Sequence, residues 1–191
     1  MDEDLRIPYE THDGVCELVD CIRFTLEGIS LDFGRWGEPY VTGPGAYVAI
    51  VTGPSIEAFA DPMGNNEWPT DRCRVLRRNL ETFFQTAWHV SLTQDGAVVV
   101  SVDGVVQSQM VRVRDLMPDE KGDLAPKATE YEDWMGSRHM SALDASRRPT
   151  VVATLTLSEE TGRVSVFRDG AIESLERTEL GGVWNPDGTP Q

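Results

Sequence analysis

The sequence predicts a mixed α/β domain, a single central sheet flanked by helices, on three observations. Runs rich in β-branched residues recur at 46–52, 97–100, 105–113, 150–157, 163–168 and 171–175, about six strands. Apolar positions at helical spacing lie before and between them, over 15–29 and 75–87. Glycine, proline and Asp-Gly pairs fall between these runs rather than inside them.

Taken in order, residues 1–13 read as an acidic lead-in. Val15, Leu18, Val19, Ile22, Leu26 and Ile29 then form one helical stripe, with Asp13 as the expected N-cap and Gly28 near the end. Residues 31–45 are rich in glycine and proline and should be irregular. The run 46–52 (AYVAIVT) reads as a buried strand closed by Gly53-Pro54, and 53–70 as a long surface loop. Thr70 is placed to cap a second helix whose stripe is Val75, Leu76, Leu80, Phe83, Phe84 and Ala87. Arg72, Arg74, Arg77 and Arg78 fall largely off that stripe, as a solvated face. Gln94-Asp95-Gly96 feeds the next strand, and Asp103-Gly104 turns the chain into a return strand over 105–113. Residues 117–133 are polar and expected to be mostly loop. Gly136-Ser137 opens into a short helix. Residues 150–157 and 163–168 make a hairpin around Ser158-Glu159-Glu160-Thr161-Gly162, and Asp169-Gly170 leads into a last strand. The expected organisation is a lead-in and packing helix over 1–45, a nucleotide-binding unit over 46–180 and a flexible tail over 181–191.

With 191 residues the chain can bury one ordinary core. No apolar run approaches the ~20 residues of a membrane span, and the first residues are acidic where a secretory signal is basic, so a soluble cytoplasmic protein is expected. Cys16, Cys21 and Cys73 suit neither a disulfide framework nor a zinc site. The net charge is −15, and only Lys121 and Lys127 are lysines, leaving 15 arginines among 17 basic residues. Such a surface repels nucleic acid and anionic membranes. Scarce lysine beside abundant carboxylate suits a salt-loving microbe, where ionic strength screens the self-repulsion. An acidic mesophilic protein is the alternative.

The sequence lacks a Walker A loop, a dinucleotide-binding glycine fingerprint, a zincin helix and a nucleophile elbow. Three short segments remain as candidates for chemistry. Asp95-Gly96-Ala97 opens a valine strand, where glycine lets a ligand approach the backbone closely. Ser137-Arg138-His139 begins a helix, where free N–H groups, the positive dipole end and a forked guanidinium favour phosphate. Ser158-Glu159-Glu160 ends a strand, and its two carboxylates could hold a divalent cation. Each is ordinary alone: a turn, a satisfied core histidine beside a surface arginine, a solvated hairpin. Their order is more specific.

The succession D-G-A, G-S-R-H and S-E-E-T-G resembles the diadenylate cyclase domain, found in DNA-integrity-scanning and membrane-associated cyclases and in archaeal relatives, and covers about 46–175. The resemblance implies condensation of two ATP molecules into cyclic di-AMP with release of two pyrophosphates, dependent on Mn or Mg, at a face-to-face homodimer or higher oligomer. By the family pattern Asp95 would orient and deprotonate the ribose 3′-hydroxyl and sit near the metal. Gly96 and Ala97 would line the nucleotide, and Val111 would touch adenine. Ser137, Arg138 and His139 would hold phosphate oxygens. Ser158 would position, and Glu159 and Glu160 would ligate, the metal. Met140 stands where many relatives have a second arginine and Gln94 where some have histidine. Those two positions motivate the alternative of a weak or inactive nucleotide-binding regulatory module on the same fold.

Overall fold

The structure is a computed structural model and describes residues 8–53, 56–69, 79–116 and 130–181. Helix α1, Asp13–Asp32, buries the expected stripe, with Val15, Leu18, Val19, Ile22, Leu26 and Ile29 all nearly inaccessible. Its N-cap is His12 rather than Asp13: His12 Nδ1 accepts the Gly14 N–H at 3.2 Å, and Asp13 becomes the first helical residue, where its charge suits the positive end of the helix. Gly28 does not end the helix. It lies inside it, where a Cβ would come within 2.8 Å of the Phe84 ring, so the glycine permits close approach of helix α2, Leu80–Thr93. Phe83 and Ala87 of α2 are buried. The proposed Thr70 cap, Val75, Leu76, the four arginines and Cys73 lie outside the described residues. Cys16 and Cys21 are both half-buried.

Five strands form the central sheet. They are β1 (Ala46–Val51), β3 (Val98–Ser101), β5 (Val151–Leu157), β6 (Val164–Arg168) and β7 (Ala171–Leu175), in the order β3-β1-β5-β6-β7. β1 runs parallel to β3, with Val48 opposite Val98, and antiparallel to β5, with Ala49 opposite Thr154; β5–β6 and β6–β7 are antiparallel. The fold is thus the mixed α/β sheet flanked by helices that the patterning predicts. β1 and β5 are buried on both faces, which explains why neither carries a charged residue. On one face Val48, Ile50, Val98, Val100, Leu155 and Leu157 pack with α1 and α2. On the other, Tyr47, Val99 and Phe167 pack with Ala142, Leu143 and Ala145 of helix α3, Ser137–Ser146.

Two expectations need correction. Residues 53–70 contain a strand, β2 (Ala60–Glu67), where a loop was expected. Its sequence, ADPMGNNE, has little intrinsic strand preference; pairing with β4 (Gln109–Val113) imposes the conformation, with an irregularity between Pro62 and Glu67. The Asp103-Gly104 turn does form, with Gly104 at φ +81° and its N–H on Ser101 O at 2.8 Å. Its return strand leaves β3 after isolated bridges at Val100–Val106 and Ala97–Val111, and β4 takes β2 as regular partner in a separate two-stranded ribbon. That ribbon becomes one wall of the cavity described next.

Candidate nucleotide-binding site

Three remote segments reach one open cavity of about 680 Å³. The first is the turn between α2 and β3. Gly96 has φ +104°, and a Cβ there would lie 2.8 Å from Met63 Sδ and 3.1 Å from Val111 O, so this tight entry into β3 demands glycine. Asp95 projects outward with its side chain 73 % exposed. Its Oδ1 accepts the Gly96 N–H at 2.8 Å, and Asn66 Nδ2 donates to its backbone oxygen. Ala97 is buried and exchanges two backbone hydrogen bonds with Val111, bringing both beside the cavity.

The second segment is the start of α3. Gly136 is the N-cap and offers no side chain; the His139 N–H bonds Gly136 O at 3.0 Å, which leaves the amides of Ser137 and Arg138 for a ligand. Ser137, Arg138 and His139 all line the cavity. α3 is held on the sheet from below, where Thr154 Oγ1 donates to Ala142 O at 2.7 Å and Tyr47 Oη to Ser141 O at 3.3 Å.

The third is the turn between β5 and β6. Ser158 Oγ accepts from the amides of Glu160 and Thr161, and Gly162 N–H returns to Ser158 O, so the serine builds the turn that presents Glu159 and Glu160. Gly43 N–H holds Glu159 O at 2.9 Å from the segment preceding β1.

Arg138 joins the three segments. Both Nη atoms lie 3.2 Å from Glu159 Oε2, and Nη2 is 3.7 Å from Asp95 Oδ1. The guanidinium packs over Gly45, where a Cβ would fall 2.4 Å from Nη1. His139 is only 5 % exposed, and neither ring nitrogen has a hydrogen-bond partner among the described residues. Burial, then the positive charges of Arg138 and Arg163, push its pKa down to about 4, so it is neutral at pH 7 and able to donate from one nitrogen and accept at the other. Trp134 meets it edge to face at 5.1 Å and carries Arg163 over its ring at 4.5 Å.

Every residue singled out from sequence therefore borders this cavity: Asp95, Gly96, Ala97, Val111, Ser137, Arg138, His139, Ser158, Glu159 and Glu160. Sequence reasoning missed Tyr47, Met63, Arg112, Asp115, Trp134, Ser141 and Thr161. Trp134 was within reach of sequence reading, being an aromatic just before the Gly136 loop. Met63, Arg112 and Asp115 were not, because they reach the cavity through the unforeseen β2–β4 ribbon and the chain that follows it.

A sequence model of the family described as DAC, DisA bacterial checkpoint controller nucleotide-binding, matches residues 70–172. The chain belongs to the DAC family. Among solved structures it is similar to a hypothetical membrane-spanning protein from Bacillus cereus, at 22 % identity and TM-score 0.53 over 84 % of this chain. The match spans 64 % of that protein's chain, and the likeness is one of fold. A double mutant of DacA from Staphylococcus aureus aligns at 15 % identity and TM-score 0.49, over 88 % of this chain and 93 % of its own. No curated protein matches the sequence. No described helix of this DAC chain is long and apolar enough to cross a membrane.

Among the described residues no three His, Cys, Asp or Glu side chains converge closely enough to hold a metal ion by themselves. The donor chemistry still fits Mg or Mn. Asp95, Glu159 and Glu160 present hard oxygens around one cavity, and Mg is commonly bound by one or two carboxylates with substrate phosphates completing the shell.

Proposed function

We propose that this DAC protein is a diadenylate cyclase, condensing two ATP into cyclic di-AMP and two pyrophosphates. The observation that carries the reading is the meeting of Asp95–Ala97, Ser137–His139 and Ser158–Glu160 around one cavity in a member of a nucleotide-binding family. In each half-reaction a ribose 3′-oxygen attacks an α-phosphorus. A P–O bond forms, the α–β phosphoanhydride breaks, and pyrophosphate leaves with the bond's electron pair. Asp95, exposed at the rim, accepts the 3′-hydroxyl proton. Arg138 exchanges Glu159 for phosphate oxygens, and the amides and hydroxyl at Ser137 add donors at the positive end of α3. Neutral His139 offers a hydrogen bond without adding charge. Val111 and Ala97 line the adenine side, and Ser158 keeps the acidic turn in place. Asp95, Glu159 and Glu160 would hold Mn or Mg, which when bound neutralises charge on the phosphates.

A volume of about 680 Å³ is that of a single-ligand pocket, whose usual range is ~300–1,000 Å³. Two ATP molecules then need two cavities, and we infer a face-to-face homodimer or higher oligomer. The catalytic unit is taken as 46–180, with α1 packed beneath its sheet. The net charge of −15 and the near absence of lysine support a high-salt, archaeal setting inside the cell.

The test is incubation of the purified protein with ATP and Mn over a range of salt, followed by mass spectrometry for cyclic di-AMP. Product is expected, with a rate per subunit that rises with protein concentration until dimers saturate. No product at any protein or salt concentration overturns the cyclase reading. A second reading, a module that binds nucleotide without turnover, is favoured by one observation: Arg138 is already engaged by Glu159 and Asp95. Equilibrium ATP binding in the absence of product would select it.

A further inference from the structure

Four carboxylates line the cavity, Asp95, Asp115, Glu159 and Glu160, against two guanidiniums, Arg112 and Arg138. That balance is unfavourable for a polyphosphate, and Arg138 is held by Glu159 with Asp95 nearby. Arg112 is in a different state. It lies on β4 between buried Val111 and Val113, borders the cavity and is exposed. Its cross-strand neighbour Asp61 is engaged elsewhere, 3.3 Å from Arg114 Nε. Among the described residues the Arg112 side chain makes no hydrogen bond or ion pair, so of the two arginines lining the cavity it is the one whose guanidinium is unpartnered.

An arginine in that state has lost none of its donors to the protein and needs no ion pair broken before it binds an anion. Its five N–H groups match phosphate geometry, and its charge offsets part of the acidic lining. Removing it would leave a single guanidinium facing four carboxylates. We propose that Arg112 is a further substrate-binding residue, holding the polyphosphate chain of the nucleotide from the β4 wall of the cavity. The inference rests on the reading of this cavity as an ATP site and adds a residue outside the three segments that define it. It also assigns a function to the β2–β4 ribbon, which carries Arg112 to the cavity.

The experiment compares wild type, Arg112→Ala, Arg112→Gln and Arg112→Lys by equilibrium titration with ATP, adenosine and inorganic tripolyphosphate, each with Mg, at two salt concentrations. Both neutral variants should bind ATP and tripolyphosphate about tenfold more weakly, the effect of losing one charge-assisted contact, with adenosine unchanged. The lysine variant should recover part of the loss, and the difference between wild type and the alanine variant should shrink as salt rises. ATP affinity within twofold of wild type in both neutral variants would overturn the proposal. So would an equal loss for adenosine, which would mark a structural or base-side role. Failure of the wild type itself to bind ATP would overturn the nucleotide reading, and it is seen before any variant is compared.

Discussion

Replacing Gly45 by alanine separates positioning of the site from stability of the fold. Gly45 has no left-handed backbone requirement, and its amide remains free to donate to Ser91 O at 2.9 Å, so alanine keeps the local chain path. The added Cβ would, however, lie 2.4 Å from Arg138 Nη1 and 2.9 Å from Glu159 Oε2. Ordinary contact is ~3.5 Å, so the guanidinium must retreat by about 1 Å. It can do so, because the clash is with the far end of a flexible side chain rather than with backbone. The ion pair lost is partly exposed, with side chains 24 % and 45 % accessible, and worth no more than ~1 kcal/mol. Replacing glycine returns a similar amount through the unfolded chain, ~0.4–1 kcal/mol. Net stability should therefore change little, with Tm within ~4 °C of wild type. A displacement of about 1 Å at a group that aligns phosphate is far more damaging to turnover, on the order of 10²-fold. Differential scanning calorimetry and cyclic di-AMP formation, measured on the same preparation, give both quantities. Unchanged turnover in a stably folded Gly45→Ala protein would refute the role given to Arg138, whereas a large drop in Tm would refute the claim that Gly45 serves the site rather than the fold.

Three further outcomes are expected. Asp95→Asn should abolish cyclic di-AMP formation while leaving the fold and most ATP binding intact, since asparagine keeps the acceptor for Gly96 N–H but not the base; a near-normal rate would remove Asp95 from the chemistry. Gly96→Ala should destabilise by ~1–3 kcal/mol, because φ +104° is strained for alanine and Val111 O lies 3.1 Å from the new Cβ; urea unfolding at wild-type stability would contradict this. His139 contributes to acid sensitivity: its folded pKa of about 4 lies below its ordinary 6.5, so between these values the unfolded chain binds the extra proton more readily. This contribution is fully present above pH 6.5 and lost as pH falls towards 4, by at most ~3 kcal/mol. His139→Gln should therefore lose less stability than wild type over that window, and parallel urea midpoints would refute the assignment.

The sequence by itself determined the sheet-and-helix class, because the residues concerned answer to local rules. Val15 to Ile29 repeat at helical spacing, and β1 and β5 carry no charged residue because both their faces are covered. It also picked out the three chemical segments, each ordinary alone, through their order along the chain. Only the tertiary structure decided what those groups face. Asp95, Arg138 and Glu159 are remote in sequence, and their meeting depends on the order β3-β1-β5-β6, which brings the end of α2, the start of α3 and the β5–β6 turn together. The β2–β4 ribbon lay beyond local reading for the same reason. Pro62, Gly64 and Asn65 disfavour a strand, and it is pairing with β4 at Ala60, Asp61 and Pro62 and again at Glu67 that draws the segment into one. Local propensity is a property of a few neighbouring residues and is written in the chain. Partner choice across a sheet is set by which faces the whole molecule can bury, and so is which charge stands beside which in a cavity.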